Sequence, residues 1–154
     1  MANTATFLVV ALVVGCTTLP LGKSNASDPQ IVGAFTDDYN TTHTITATEW
    51  RHGTRARYHV VKWNASGQYL IARNDSANPA DGGHWTRIDW LRLEGMPPWT
   101  WGYCMSVFKA PSADSAEATR VANRATPRTG CNGFPFTRMR SSAPPPHYGS
   151  ARVR

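Results

Sequence analysis

Apolar and polar positions alternate through most of the middle of this chain, and the alternation predicts strands. It is cleanest from Thr100 to Phe108. There Trp101, Tyr103, Met105 and Val107 fall on one side, and Thr100, Gly102, Cys104 and Ser106 on the other, as in a strand with one buried face. This strand ends a Trp-rich stretch, His84 to Cys104, that reads as two strands folded back across a Gly-Met-Pro-Pro turn and carries Trp85, Trp90, Trp99 and Trp101. Upstream, Ile31 to Phe35 and the β-branched run Thr41 to Thr46 form a hairpin around Asp37 to Asn40. Arg51-His52-Gly53 reads as a turn. Tyr58 to Trp63 is a third strand, with Tyr58 and Val60 opposite His59, Val61 and Trp63. Asn64 to Gly67 turns the chain into Gln68 to Arg73, and Asn74 to Gly83 is a long polar loop.

Only one segment reads as helix. Ser112, Ala113 and Asp114 offer a start, Asp114 and Glu117 suit the positive end of the helix dipole, and Arg120 and Arg124 suit its other end, which predicts a helix from Ser112 to about Arg124. Thr129 to Gly133 turns back into a last strand, Phe134 to Met139, whose Pro135 suits a sheet edge. The expected fold class is therefore mainly β: a small antiparallel meander closing into a barrel or a strongly curved sheet, with one late α-helix.

The ends of the chain read differently. Thr6 to Gly15 is an unbroken small and apolar run of signal-peptide length, short of the roughly 20 residues that cross a bilayer as a helix. Residues 1–26 are expected to be a signal peptide, 27–140 a β-rich domain and 141–154 a disordered, basic, Pro-rich tail. Two processing sites compete. Gly15-Cys16 resembles the bacterial lipoprotein signal, in which the cysteine is lipidated, while Ser24-Asn25-Ala26 fits ordinary signal peptidase. The expected location is secreted or, as a lipoprotein, at the cell surface or outer membrane, with membrane contact only through such an anchor.

If Cys16 is removed or lipidated, Cys104 and Cys131 remain as an even pair. A disulfide is their economical use in an oxidising compartment, two separate buried thiols being the alternative. Asn25, Asn40, Asn64 and Asn74 lie in glycosylation sequons, relevant if the producing cell is eukaryotic.

Charge changes the picture only once it is located. The formal net charge is +6, yet Ser27 to Thr100 holds 7 Lys+Arg against 8 Asp+Glu, whereas Trp101 to Arg154 holds 8 against 2. The excess is C-terminal: Arg120, Arg124 and Arg128 on the predicted helix face, then Arg138, Arg140, Arg152 and Arg154. Such a half of the chain suits an anionic surface, or is simply solvated. Nucleic acid is not among the partners expected of an exported protein.

Four constellations carry candidate chemistry. Trp63, Trp85, Trp90, Trp101 and Tyr103 could line a ligand cavity or a sugar-stacking platform, or be core. Arg87 and Asp89, two apart on one strand face, suit an ion pair or a polar floor to that cavity. The loops Asp37-Asp38-x-Asn40 and Asn74-Asp75-x-x-Asn78-x-x-Asp81 hold oxygens enough for calcium, without EF-hand spacing, and Asx residues are ordinary turn formers. His43, His59 and His84, with Asp89 or Glu49, read as exposed strand histidines rather than a general base or metal site. No G-x-S-x-G, H-E-x-x-H or phosphate-loop motif is present, so no metal, cofactor or catalytic residue is expected.

Gly33-Ala34-Phe35 with its polar hairpin and Thr-rich strand resembles lipocalins and avidins over about 16 residues. A longer set is similar to a family of small exported domains of unknown function, often lipoproteins, across nearly the whole mature domain. It comprises Ile31-Val32-Gly33-x-Phe35-x-Asp37, His43-Thr44-Ile45, Trp50, Ala72-x-Asn74-Asp75, Trp85-x-Arg87-x-Asp89-Trp90, Tyr103-Cys104 and Gly130-Cys131-x-Gly133-Phe134-Pro135-Phe136-Thr137. The chain departs from it at Met96-Pro97-Pro98 and in its basic tail. The resemblance implies a disulfide between the two cysteines and brings no activity. The function expected is non-enzymatic: an exported β-barrel-like domain binding a small apolar or glycan ligand through Trp63, Trp85, Arg87, Asp89, Trp90, Trp101 and Tyr103. The alternative is an interaction protein whose basic C-terminal half docks an anionic partner, and an enzyme is third.

Overall fold

The computed structural model describes residues 26–28 and 30–142. Residues 1–25 of the expected signal segment, with Cys16 and Asn25, and the tail beyond Ser142 lie outside them. Eight strands follow in order: β1 (Gly33–Asp37), β2 (Thr42–Ile45), β3 (Glu49–His52), β4 (Ala56–Asn64), β5 (Tyr69–Asn74), β6 (Trp85–Arg92), β7 (Trp101–Ala110) and β8 (Thr137–Ser141), with α1 (Ala113–Ala118) between the last two. Each strand pairs antiparallel with its sequence neighbours and β8 returns to β1, so the sheet is a closed barrel. The β-rich meander with one late helix is the observed architecture, and closure leaves no unpaired edge.

The departures from simple patterning have local causes. Arg51-His52 is not a turn but the end of β3, a four-residue strand in which a single apolar residue, Trp50, points inward between Glu49 and Arg51. The reversal comes one residue later at Gly53, whose φ of +57° suits glycine. In β4 a bulge between Val60 and Lys62 inserts one residue, so Trp63 joins Tyr58 and Val60 on the inside instead of opposing them. The helix stops at Ala118. Ser112 caps it, its Oγ accepting from the Ser115 N–H at 3.1 Å, but Thr119 is extended, the chain after it runs through turns, and the predicted row of Arg120, Arg124 and Arg128 does not exist as a helix face. The last strand begins at Thr137, with Pro135 ahead of it, and continues past Arg140, where the domain was expected to end. Ser141 pairs with Phe35, and the Ser142 N–H donates to the Ala34 carbonyl at 2.9 Å.

β7 is buried on both faces, not one. Trp101 and Tyr103 point into the barrel, while Gly102, Cys104 and Ser106 lie beneath an outer strap running from α1 through residues 119–136. The strap's chemistry explains its path. Cys104 and Cys131 form a disulfide closing a loop of 27 residues, which constrains the unfolded chain by about 3–4 kcal/mol in the chain-entropy model. Gly130 passes so close to the Asn123 carbonyl oxygen that a Cβ there would lie 1.9 Å from it.

Inside, one cluster fills the barrel: Ile31, Phe35, Ile45, Trp50, Tyr58, Trp63, Leu70, Ala72, Ile88, Trp90, Trp101, Tyr103 and Met139. The ring edges meet ring faces, as at Phe35–Trp101 (5.1 Å, 87°) and Trp63–Trp90 (5.8 Å, 66°). Strand stagger also sets what meets on the outside. Met139 of β8 is in register with Asp37 at the end of β1 and with Trp101 at the start of β7. The β1–β2 turn and the β6–β7 loop, at opposite ends of their own strands, are thereby brought together across β8.

Candidate functional site

The seven residues expected to line one ligand site are divided by the barrel wall. Trp63, Trp90, Trp101 and Tyr103 lie inside, each less than a tenth exposed. Trp85, Arg87 and Asp89 lie outside, because alternation along β6 sends Thr86, Ile88 and Trp90 inward and its other residues outward. No single surface presents all seven. The Trp63 indole N–H donates to the Ala47 carbonyl at 2.7 Å, whereas those of Trp90 and Trp101 find no acceptor among the described residues. Burial and the nearby Asp37 charge push the Tyr103 hydroxyl well above the usual tyrosine range.

The outer residues fasten the strap. Arg87, 4% exposed, makes a two-pronged pair with Asp89 (2.8 and 2.9 Å), stacks on the Tyr69 ring and donates to the Glu117 carbonyl at 2.7 Å. Asp89 also accepts from Ser106 Oγ (2.6 Å) and from Arg124 Nη2 (2.8 Å). Arg124 further donates to the carbonyls of Trp90, Gly67 and Gln68. All of Asp89's acceptor capacity is spent on the protein itself, so the Arg87–Asp89 pair is a structural joint.

A second polar group, which the spacing of the histidines does not reveal, sits at the inner end of β1 to β3. His43 is buried, not exposed: its Nε2 lies 3.0 Å from Asp37 Oδ2, and its Nδ1 accepts from the Trp50 indole at 3.0 Å. His52 stacks on it at 4.6 Å. Burial holds the His43 imidazole below the ordinary 6.5 against the pull of Asp37, and burial together with the His43 charge does the same to His52. Burial alone would raise the Asp37 carboxyl, but bonds from His43 and from the Thr41 and Tyr39 N–H groups outweigh it and hold it below 3.8. One ligand atom from each of Asp37, His43 and His52 lies within 4.8 Å of the others, a spacing a metal ion could use. The indole opposes that use. An indole only donates, so Nδ1 must be bare and Nε2 must carry the proton it gives to Asp37, leaving Nε2 no lone pair for an ion. His59 pairs with Asp75 on the exterior at 2.9 Å, far along the sheet from this group.

The calcium-type loops are likewise used for structure. Asp37 Oδ1 accepts from the Tyr39 and Thr41 N–H groups, Asp75 Oδ1 from the Ala77 N–H, and Asn78 bonds both backbone groups of Arg57. Asn74 is buried, with its amide donating to the Asp81 and Phe108 carbonyls, so its nitrogen is not presented for a glycan. The Asn64 amide donates to the Tyr69 hydroxyl at 2.9 Å, and Asn40 is exposed in the β1–β2 turn.

The concave site is on the outside, where the β1–β2 turn meets the β6–β7 loop and the strap. A groove of about 640 Å³ is lined by Asp38, Tyr39, Leu93, Met96, Thr126, Pro127, Arg128, Pro135, Phe136 and Arg138. Its apolar floor comes from Leu93, Pro127 and Phe136, the last held by its N–H on the Pro127 carbonyl at 2.8 Å. Tyr39 presents an aromatic ring that is 74% exposed. Asp38 and Arg138 are tied twice, by Arg138 Nε to Asp38 Oδ2 at 2.8 Å and by the Asp38 N–H to the Arg138 carbonyl at 3.1 Å. Asp38 Oδ1 is buried and has no donor among the described residues. Arg138 in turn lies over the Trp99 ring at 5.2 Å. The groove thus combines an open ring, apolar walls, a carboxylate and two guanidinium groups. Its residues come from four separated segments, and of its features only the acidic β1–β2 turn stands out in the sequence.

No family model, no curated protein and no solved structure matches this chain.

Proposed function

We propose that the protein is an exported, non-enzymatic binding module that holds a small apolar or glycan ligand in the groove between the β1–β2 turn, the β6–β7 loop and the strap. The observation that carries this reading is the Tyr39 ring, 74% exposed beside a concavity whose lining also holds Leu93, Pro127 and Phe136. Asp38, in the same lining, adds a carboxylate at the edge of that apolar surface. Tyr39 supplies a face for the apolar side of a sugar ring, and Arg128 and Arg138 supply donors for its oxygens. Of the indoles expected to do this, Trp63, Trp90 and Trp101 belong to the core and Trp85 packs on the outer wall, so the ligand is assigned to the groove instead. Export is supported by the Cys104–Cys131 disulfide, which persists in oxidising compartments.

The alternative, an anionic partner docked by the basic C-terminal half, has less support. Arg124 is spent on Asp89 and three carbonyls, and Arg120 on the carbonyls of Glu117 and Thr119. The test is a nuclear magnetic resonance titration with a panel of mono- and disaccharides and small apolar probes, followed by Tyr39→Ala and Asp38→Ala. Saturable shifts at Tyr39, Leu93 and Met96 that either substitution weakens at least tenfold are expected. Saturable binding that both variants retain would remove the groove from consideration, and no binding by any probe would remove the ligand reading.

A further inference from the structure

A second concavity lies at the turn between β3 and β4, lined by Arg51, Gly53, Thr54, Arg55, Ala56 and Arg57 on one side and by Asp75, Ala77 and Asn78 on the other, about 470 Å³ in volume. The two walls are fixed to each other. The Arg57 N–H donates to Asn78 Oδ1 at 2.8 Å, Asn78 Nδ2 returns to the Arg57 carbonyl at 2.8 Å, and the Asp75 N–H donates to the same carbonyl at 3.0 Å. The hollow is therefore built on bonded backbone rather than on loose side chains.

Its charge is arranged against folding stability. Arg51 and Arg57 are directly opposite across the β3–β4 ladder, where like charges repel, and Arg55 follows in the connecting turn. Arg51 is offset by its pair with Glu49. Among the described residues, neither the Arg55 nor the Arg57 guanidinium has a hydrogen bond or ion pair. Asp75 is the acid in the lining, but its oxygens already face His59 and the Ala77 N–H. Three arginines against Asp75 leave the lining at +2, or +1 with Glu49 included. Planar guanidinium groups with free donors, lining one polar hollow, match a tetrahedral oxyanion.

We propose that this hollow binds a sulfate or phosphate group, with Arg55 and Arg57 as its principal donors and Arg51 beside them. The site shares no lining residue with the groove. Its volume exceeds what a bare oxyanion fills, leaving room for the sugar or headgroup that carries it.

The test is isothermal titration of the full chain with sodium sulfate and sodium phosphate at constant ionic strength, with the arginine Nε–H resonances followed in parallel. Saturable binding with shifts at Arg51, Arg55 and Arg57 is expected, and Arg55→Gln with Arg57→Gln should weaken it at least tenfold. Both side chains are exposed, so the melting temperature of the double variant should be unchanged or slightly raised, separating lost binding from lost fold. Two further arms identify the carrier. Tighter binding of an O-sulfated disaccharide than of free sulfate points to a sulfated glycan, and sedimentation with phosphatidate-containing vesicles that the double variant abolishes points to a lipid headgroup. No response beyond that to chloride, shifts mapping elsewhere, or equal binding by the double variant would each overturn the proposal.

Discussion

Replacing Asp89 with Asn keeps the side chain's shape and removes its charge, and the structure lets the cost be worked out. Asp89 is 1% exposed and accepts four bonds, two from Arg87, one from Ser106 and one from Arg124. Arg87 is itself 4% exposed, so the substitution strands a guanidinium inside the wall. Breaking one side of such a pair costs about 3–5 kcal/mol. With roughly 115 described residues the unfolding entropy is about 0.24 kcal/mol/K, so the melting temperature should fall by about 12–20 °C. The double substitution Arg87→Met with Asp89→Leu removes both charges and should cost less than Asp89→Asn alone, because no guanidinium is stranded at position 87 and Arg124, 29% exposed, keeps its three carbonyl acceptors. Thermal unfolding followed by circular dichroism, with the disulfide intact, measures both. A single-variant loss below about 1 kcal/mol, or a double variant less stable than the single, would show that the strap does not seal this pair from water.

Acid should unfold the barrel earlier than its carboxylates alone require. The folded-state values of His43 and His52 are held below 6.5, so as pH falls through 6.5 the unfolded chain takes up protons that the native one refuses, and stability drops by at most about 1.4 kcal/mol per pH unit for each histidine. Asp37 adds a loss at lower pH, its stabilisation being present above 3.8 and disappearing as pH falls through its lowered value. Urea unfolding between pH 7 and 5 checks this, and His52→Gln should reduce the slope by about half; an unchanged slope contradicts it. Gly130→Ala should loosen the strap, since its Cβ would meet the Asn123 carbonyl at 1.9 Å. The expected signs are a lower melting temperature and faster reduction of Cys104–Cys131 by dithiothreitol, and wild-type rates for both would contradict the packing described.

The strands are legible wherever a run of alternation is long enough to be seen. β7 has ten residues and announces itself, whereas β3 has four and a single inward residue, Trp50, which carries no period. Simple alternation puts Trp63 on the wrong side because one bulge in β4 shifts every later residue, and a bulge leaves no mark in composition. The predicted helix is too long for a different reason: the arginine spacing is helical, but Arg124 is drawn to Asp89 and to carbonyls of the barrel wall, a pull known only once the wall is folded. The disulfide pairing is readable from cysteine number. The burial of Arg87 and Asp89 under the strap is not, since their shared face is set by β6 while their cover arrives from residues 117 and 124. The two concavities depend on register: Asp38 meets Leu93 only because β8 staggers between β1 and β7, and Arg51 meets Arg57 only because β3 and β4 pair as they do.

Trp50, Trp63, Trp90 and Trp101 build the core, and the ligand proposed above would sit outside it, against Tyr39 and Asp38. The most direct measurement is a two-dimensional amide and indole resonance spectrum recorded across a titration with whichever saccharide or apolar probe binds most tightly. Shifts concentrated at Asp38, Tyr39, Leu93, Met96 and Arg138, with the Trp50, Trp63, Trp90 and Trp101 indole signals unmoved, are the result predicted. Movement of the Trp90 and Trp101 indoles while Tyr39 stays still would place the ligand inside the barrel and contradict the account.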